Sequence, residues 1–217
     1  MNGRVLASFV LGAAVGAGGT YLALSRRHGT GPFRANRTGP AAAVEPAAAT
    51  WARPLDVPHL ENLHRVSDDL YRGAQPGEEG FRRLKAMGVR TVVNLRSFHS
   101  DRDEIGPTDL DCEHITMKAY HPEGREVVRF LRIVTDPSRT PVFVHCRYGS
   151  DRTGLMCAAY RVAVQGWSKD EAAAEMTRGG FGFHETFDGL VEYLRDLDVA
   201  DIRRRAGLPT TRPAGGD

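Results

Sequence analysis

A continuous apolar segment, Pro141-Val142-Phe143-Val144-His145, leads into a glycine-containing turn and then into an apolar helical stretch. A segment of this kind is typical of a central parallel strand whose two faces are both covered by helices. The stretch from Thr153 to Gln165 follows, with apolar side chains at the spacing of a helix. The sequence therefore predicts a strand, a turn and a helix in succession, which restricts the fold to the α/β class.

The rest of the chain from about Asn62 predicts one α/β domain, with a short central, largely parallel sheet flanked by helices. A length of 217 residues suits one such unit with tails. Further strands are predicted at Leu70 to Arg72, as an edge strand, at Val89 to Leu95 and at Glu113 to Ala119, with a polar loop over 97–107. Further helices are predicted at Glu78 to Met87, Glu123 to Thr135, Ser168 to Thr177 and around Phe187 to Leu194.

The N-terminal part differs in composition from this domain. Residues from Val5 to Leu24 are uncharged, and about 20 such residues cross a bilayer as a helix. They predict a single-pass membrane anchor within 1–27, and the arginines that follow place the catalytic domain in the cytoplasm. A cleaved signal peptide, leading to a secreted or periplasmic protein, is the alternative. A flexible linker is predicted over 28–55, the folded domain over 56–208 and a tail over 209–217.

Charge and cysteine content exclude several classes of protein. Lys and Arg number 29 against 27 Asp and Glu, so the net charge of +2 gives no reason to expect a nucleic-acid partner. Cys112, Cys146 and Cys157 are irregularly spaced and form no CxxC pair, which argues against a disulfide framework and a thiolate zinc site. We expect reduced thiols, no metal and no cofactor.

The segment from His145 to Gly154 carries the chemistry. Cys146 stands between a strand and a helix, where unpaired backbone N–H groups favour an anion, so its thiol is the predicted nucleophile. Arg152 supplies a planar fork suited to two phosphate oxygens. The hydroxyl of Thr153 is placed to donate to the Cys146 sulfur. The predicted substrate-binding residues are those of the intervening turn, whose amides can surround a phosphate: Arg147, Tyr148, Gly149 and Ser150.

Taken together, these residues resemble the signature of the protein tyrosine and dual-specificity phosphatase superfamily, which reads His-Cys, five residues, Arg-Ser/Thr. Three other segments look like the compact atypical dual-specificity phosphatases: Asp69 to Pro76, Val92 to Arg96 and Gly180 to Phe183. The resemblance covers about 62–197. It implies phosphate monoester hydrolysis through a phosphocysteine intermediate, without a metal or cofactor.

The general acid departs from the family pattern. An aspartate some 30 residues before the cysteine is usual, but Thr116 to Glu123 contains none. Asp151, inside the loop itself, is the predicted substitute, because a protonated carboxyl there can reach the leaving oxygen. The alternative is that Asp151 only caps the helix or orients Arg152. The reserve candidates are His121, Glu123, Asp101 and Asp103, and His184 is a further histidine that can enter the site.

Three functions follow from this pattern. The first is a protein tyrosine or dual-specificity phosphatase acting on phosphorylated proteins. The second is a phosphoinositide or inositol polyphosphate phosphatase that uses the same chemistry. The third is an inactive phosphate-binding module tethered to the membrane through the N-terminal helix. The intact Cys146 and Arg152 favour an enzyme over the third possibility, because a pure binding module needs no thiolate.

Overall fold

The apolar strand ahead of Cys146 lies inside a mixed sheet of six strands, in a computed structural model that describes residues 50–209. Along the chain the strands are β1 (Arg53–Pro54), β2 (His64–Arg65), β3 (Leu70–Gly73), β4 (Thr91–Asn94), β5 (Asp111–His114) and β6 (Val142–His145). Their order in the sheet is β1-β2-β3-β6-β4-β5. The last four in that order are parallel, while β1 and β2 are added antiparallel to β3.

Helices cover both faces of the sheet. They are α1 (Glu78–Ala86), α2 (Arg102–Ile105), α3 (Gly124–Val134), α4 (Asp151–Ala163), α5 (Lys169–Arg178), α6 (Gly189–Asp196) and α7 (Val199–Ala206), with a 3₁₀ turn at Glu185–Phe187. Side chains of β6 alternate between two apolar clusters: Val142 and Val144 join the cluster with α3 to α7, and Phe143 joins the one with α1 and α2. Burial on both faces explains why the strand is apolar from Val142 to Val144.

The α/β class and the parallel centre of the sheet agree with the prediction, but two elements differ from it. The strand at Leu70–Gly73 is internal, not an edge, because the preceding chain adds β2 along its outer side. The predicted polar loop contains the short helix α2, whose Ile105 is buried against α1. Ser168 and Glu171, three residues apart, have the sequence pattern of a capping box, and at the start of α5 each side chain accepts a hydrogen bond from the other's backbone N–H.

The predicted N-terminal anchor, Val5 to Leu24, lies outside the described residues. Between residues 50 and 209, no helix combines the length and apolar character that crossing a bilayer requires. By this finding the predicted membrane location, with its tethered cytoplasmic domain, is wrong.

A buried ion pair attaches the start of the described chain to the helices. Arg161 of α4 donates two hydrogen bonds to Glu175 of α5, at 2.7 and 2.6 Å, and both side chains are only 3% exposed. The same carboxylate accepts from the N–H of Ala52, and the guanidinium donates to the carbonyls of Thr50 and Val66. The pair therefore joins α4, α5 and the strand region in one network.

Replacing Glu175 by Gln should strongly destabilise the domain, because it leaves a buried guanidinium without its counter-charge. We expect the free energy of unfolding to fall by about 3–5 kcal/mol, measured by urea denaturation. Asp201→Asn is the control, since it breaks exposed pairs with Arg204 and Arg205 on α7 and should cost about 1 kcal/mol or less. Equal losses in the two variants would contradict the structural role of the buried pair.

Candidate active site

Cys146 lies at the carboxyl end of β6, directly before the loop 147–150 that leads into α4. It is only 2% exposed. Because α4 begins at Asp151, the N–H groups of its first turn have no partners within the helix and carry its positive dipole end. The fold thus brings together the predicted nucleophile, Arg152, Thr153, Asp151 and the intervening loop.

The environment of the Cys146 thiol favours its ionised form. Burial is the largest influence and by itself raises the pKa of the thiol. The hydroxyl and N–H of Thr153, the guanidinium of Arg152 and the N–H of Tyr148 act in the opposite direction, and together they lower the pKa below its ordinary value. The Thr153 hydroxyl is buried and has no other hydrogen-bond partner in the described chain, so its O–H is available to the sulfur.

The two other cysteines have the opposite character. Cys157 is buried in α4, and burial raises the pKa of its thiol to about 11. Cys112 lies in the edge strand β5, where partial burial and the nearby carboxylates of Asp101 and Glu113 also raise the thiol pKa to about 11. Near neutral pH, therefore, Cys146 is the cysteine whose surroundings favour a thiolate.

Gly149 allows the loop to approach the end of β3. Its φ is +73°, a left-handed conformation that side chains disfavour. A Cβ at this position would lie 2.4 Å from the carbonyl carbon and oxygen of Gly73 and 2.7 Å from the nitrogen of Ala74. Glycine is therefore required here both for its backbone angle and for lack of space.

Arg72 holds the loop 147–150 through two of its carbonyl groups. This residue of β3 is 1% exposed, and its Nη2 donates to the carbonyls of Gly149, at 2.7 Å, and Ser150, at 3.3 Å. In a trans peptide the N–H points away from the carbonyl, so the N–H groups of Ser150 and Asp151 are turned away from Arg72. From the sequence, Arg72 is expected in an edge strand and in the family-like segment Asp69 to Pro76, with no role for its side chain. The signal for its role was a charged residue within an otherwise apolar strand.

A second clamp joins the loop to the segment 180–184. The side-chain amide of Asn62 donates to the carbonyls of Tyr148, at 2.9 Å, and Phe181, at 3.0 Å. The hydroxyl of Ser150 donates to the same Phe181 carbonyl at 2.7 Å. The Ser150 side chain is thus used within the protein, which leaves its backbone N–H as the group available to a phosphate. Sequence reasoning missed Asn62 because its partners lie 86 and 119 residues away.

His145 fixes the backbone of the nucleophile. Its Nδ1 lies 3.1 Å from the Cys146 carbonyl oxygen, and its Nε2 lies 2.8 Å from a carboxylate oxygen of Asp101. The imidazole and the carboxylate are both fully buried, and Asn94 donates to the other Asp101 oxygen at 3.0 Å. Asp101, a reserve candidate for the acid, is therefore a partner of His145 and is shielded from substrate.

Arg152 extends toward the ends of the neighbouring strands. Its Nη1 is 3.4 Å from the Leu95 carbonyl oxygen and 3.5 Å from that of Met117, distances that indicate weak hydrogen bonds. Its remaining nitrogens have no hydrogen-bond partner within residues 50–209. The guanidinium is thus held near the loop while most of its donors remain available for an anion.

Asp151 is in contact with His184. One carboxylate oxygen accepts from the His184 N–H at 2.9 Å, and the ring Nδ1 lies 3.1 and 3.0 Å from the two oxygens. In the described chain, no hydrogen bond joins the other predicted acids Glu123, His121 and Asp103 to the loop 147–150. Glu123 caps the start of α3 and pairs with Arg125, while His121 and Asp103 are exposed.

Three exposed aromatic residues lie in segments that follow the central strands of the sheet. Tyr148 is 54% exposed, and the guanidinium of Arg147, also exposed, lies 5.2 Å from the centre of its ring. Tyr120 and Phe98 are 80% and 99% exposed. These three aromatic residues follow β6, β5 and β4, whose carboxyl ends meet at one edge of the sheet.

Thr153→Val should move the ionisation of Cys146 to higher pH, because it removes the hydroxyl that stabilises the thiolate but keeps the side-chain shape. The measurement is the rate of alkylation by iodoacetamide against pH, with modified peptides identified by mass spectrometry. Cys146 should be labelled first, and the inflection of its rate should rise in the variant. Thr177→Val, in α5, removes a hydroxyl bonded only to Ala173 and is the control. An unchanged inflection would refute the assigned contact.

Gly149→Ala should distort the loop and weaken anion binding, whereas Gly88→Ala should not. Gly88 has a similar φ of +85° but open space around its Cβ position. In both variants the left-handed alanine costs about 1–2 kcal/mol of stability. A larger loss of vanadate affinity or stability in Gly149→Ala is therefore due to the steric clash of its Cβ with Gly73. Vanadate affinity and urea unfolding provide the measurements. Equal vanadate affinity in both variants would show that the loop tolerates the added carbon.

Comparisons with known proteins agree with this geometry. The family described as "DSP-PTPase phosphatase fused to NAD+ Kinase" matches residues 59–188. The dual specificity protein phosphatase TpbA of Pseudomonas aeruginosa is 37% identical over 174 residues, which are 80% of this chain and 76% of that protein. Its crystal structure gives a TM-score of 0.65 at 35% identity, over 74% of this chain and 98% of the other.

A more distant structure shares the fold alone. The core catalytic domain of the phosphatase SIW14 from Saccharomyces cerevisiae gives a TM-score of 0.61 at 22% identity, over 70% of this chain and 94% of that one. The family match and the identity to TpbA show the relationship directly. The chain belongs to the dual-specificity phosphatases, the cysteine-dependent phosphoric monoester hydrolases of the protein tyrosine phosphatase superfamily.

Proposed function

We propose that this phosphatase acts on phosphorylated proteins, phosphotyrosine above all, with Cys146 as nucleophile and Arg152 as the phosphate clamp. The observation that carries the assignment of roles is the lowered pKa of the Cys146 thiol, which lies beside a loop whose Gly149 and Ser150 carbonyls are held by Arg72 and whose following N–H groups are thereby turned away from Arg72. A phosphate seated in this loop presents its phosphorus to the sulfur. Arg152 and the N–H groups of residues 147–150 then neutralise the charge on its non-bridging oxygens.

The reaction proceeds in two steps. In the first, the Cys146 sulfur attacks phosphorus and the bond to the leaving oxygen breaks. The leaving oxygen takes a proton from the part of the site where the carboxylate of Asp151 contacts the imidazole of His184. In the second, water attacks the phosphocysteine and releases inorganic phosphate. The hydroxyl of Thr153 stabilises the departing thiolate.

Two observations support protein substrates. TpbA, the dual specificity protein phosphatase at 37% identity, has a related crystal structure in complex with phosphotyrosine, at 34% identity to this chain. The exposed rings of Tyr148 in the loop, and of Phe98 and Tyr120 after β4 and β5, suit contacts with a phosphotyrosine ring and its flanking peptide.

Inositol phosphates are the second candidate class. Relatives named inositol diphosphatase include DSP5 of Arabidopsis thaliana and SIW14 of Saccharomyces cerevisiae, each 23% identical to this chain. Such polyanions require several cations around the scissile phosphate. Besides Arg152, the loop 147–150 contributes only the cation Arg147, and the segment between β5 and α3 carries Lys118 together with the acidic Glu123, so we place this class second.

A substrate panel tests the proposal. Phosphate release should be fastest from phosphotyrosine peptides, slower from phosphoserine peptides and slowest from inositol pyrophosphates, with a metal chelator present throughout. Cys146→Ser should reduce kcat at least about a thousandfold, because it removes the nucleophile. Cys157→Ser, which alters a buried cysteine in α4, is the control and should retain activity.

Three other outcomes would each contradict part of the proposed function. Faster turnover of inositol pyrophosphates would reverse the proposed order of substrates. Turnover that survives Cys146→Ser would exclude the thiolate mechanism. Tight binding of phosphate with no turnover of any substrate would identify a binding module.

A further inference from the structure

We propose that His184 is the general acid of this phosphatase and that Asp151 acts through it, by holding its ring. The proposal rests on the proposed thiolate mechanism and names the proton donor that mechanism requires. The family's usual aspartate is absent from Thr116 to Glu123, so the proton must come from another part of the site.

The hydrogen bonds of Asp151 are those of an acceptor. Its side chain is 9% exposed, and one oxygen accepts the N–H of His184 while both oxygens lie within 3.1 Å of the ring Nδ1. An ionised carboxylate fills such a role best, because it has two acceptor oxygens and no proton of its own. Asp151 also occupies the first turn of α4, where the helix dipole stabilises negative charge. Its position therefore suits a partner of the donor better than the donor itself.

The ring of His184 has the complementary character. Its Nδ1 is directed at the carboxylate, which fixes that nitrogen as the protonated one, and its Nε2 has no hydrogen-bond partner in the described chain. The side chain is 50% exposed, and its ring centre is 5.9 Å from that of Tyr148, a residue of the phosphate loop. An imidazole oriented by a carboxylate at one nitrogen and open at the other is the arrangement used for proton transfer in many hydrolases.

The loop itself positions His184. The carbonyl of Phe181, three residues earlier, accepts hydrogen bonds from Asn62 and from the hydroxyl of Ser150. Gly182 has a φ of +74°, and a Cβ there would lie 3.4 Å from the Ser150 hydroxyl oxygen. The segment that carries His184 is therefore tied to the same residues that form the phosphate site.

With His184 as proton donor in the first step and proton acceptor in the second, every proton transferred is accounted for. As the sulfur–phosphorus bond forms and the phosphorus–oxygen bond breaks, the imidazolium gives its Nε2 proton to the leaving oxygen, and Asp151 stabilises the imidazolium beforehand. In the second step Nε2 takes a proton from the attacking water as the phosphorus–sulfur bond breaks. The products are the free phenol or alcohol and inorganic phosphate, and both His184 and Cys146 return to their starting forms.

A series of aryl phosphates tests the proposal, because only a poor leaving group needs a proton. His184→Asn retains a donor near the position of Nδ1, and so the contact with Asp151, but it has no proton in place of Nε2. We expect kcat for phenyl phosphate to fall at least about a hundredfold, while kcat for 2,4-dinitrophenyl phosphate stays within a few-fold of wild type. His59→Asn makes the same change at an exposed histidine with no assigned role, in a left-handed conformation that asparagine tolerates, and should leave both substrates unaffected.

Asp151→Asn discriminates between the two residues. It should lower phenyl phosphate turnover by less than His184→Asn does, because the ring remains and only its orientation is impaired. Complete loss in Asp151→Asn with retained activity in His184→Asn would overturn the proposal and make Asp151 the donor. Equal loss on both substrates in His184→Asn would also overturn it, by showing a structural role. A wild-type protein that hydrolyses no aryl phosphate would instead refute the proposed function.

Discussion

The conformation of the phosphate loop depends on the buried guanidinium of Arg72, which donates hydrogen bonds to two of the loop's carbonyl groups. Burial is the largest influence on this side chain and lowers its pKa, while Cys157, Glu175 and Cys146 act to raise it. Removing a charge from water costs several kcal/mol unless the protein supplies compensating partners. Here the partners are the carbonyls of the phosphate loop and the face of the Phe181 ring, 3.6 Å from the guanidinium carbon. The loop therefore adopts a conformation in which its carbonyl groups stabilise the buried charge of Arg72.

The same arrangement explains how a buried thiol can become ionised. A sulfur that is 2% exposed loses the stabilisation that water gives a thiolate, and burial alone raises its pKa. The loop replaces water with fixed donors: the N–H groups of Tyr148 and Thr153 and the hydroxyl of Thr153. Since these dipoles are in place before substrate arrives, little reorganisation is needed when charge moves from sulfur to phosphate.

Local patterns predicted much of the fold, and their failures have physical causes. The strand β6 and the helix α4 follow from apolar periodicity, and α5 follows from a capping box whose hydrogen bonds span three residues. The strand at Leu70–Gly73 was misplaced at an edge because strand order depends on pairing with residues 64–65 and 142–145, which no local pattern reports. The membrane location was inferred from hydropathy and from the arginines that follow the apolar segment, and no helix within the described range 50–209 is able to cross a bilayer.

By itself the sequence determined the chemistry that the loop offers, since Cys146, Arg152 and Thr153 lie within eight consecutive positions and their spacing constrains their geometry. It also determined that a parallel strand precedes them and a helix follows. Only the tertiary structure decided which distant groups complete the site. Arg72 and Asn62 hold the loop, Asp101 is buried against His145, and His184 reaches Asp151 across 33 residues of sequence. These contacts depend on how strands and helices pack, because residues far apart in the chain meet only when the sheet has ordered its strands and brought their carboxyl ends to one edge.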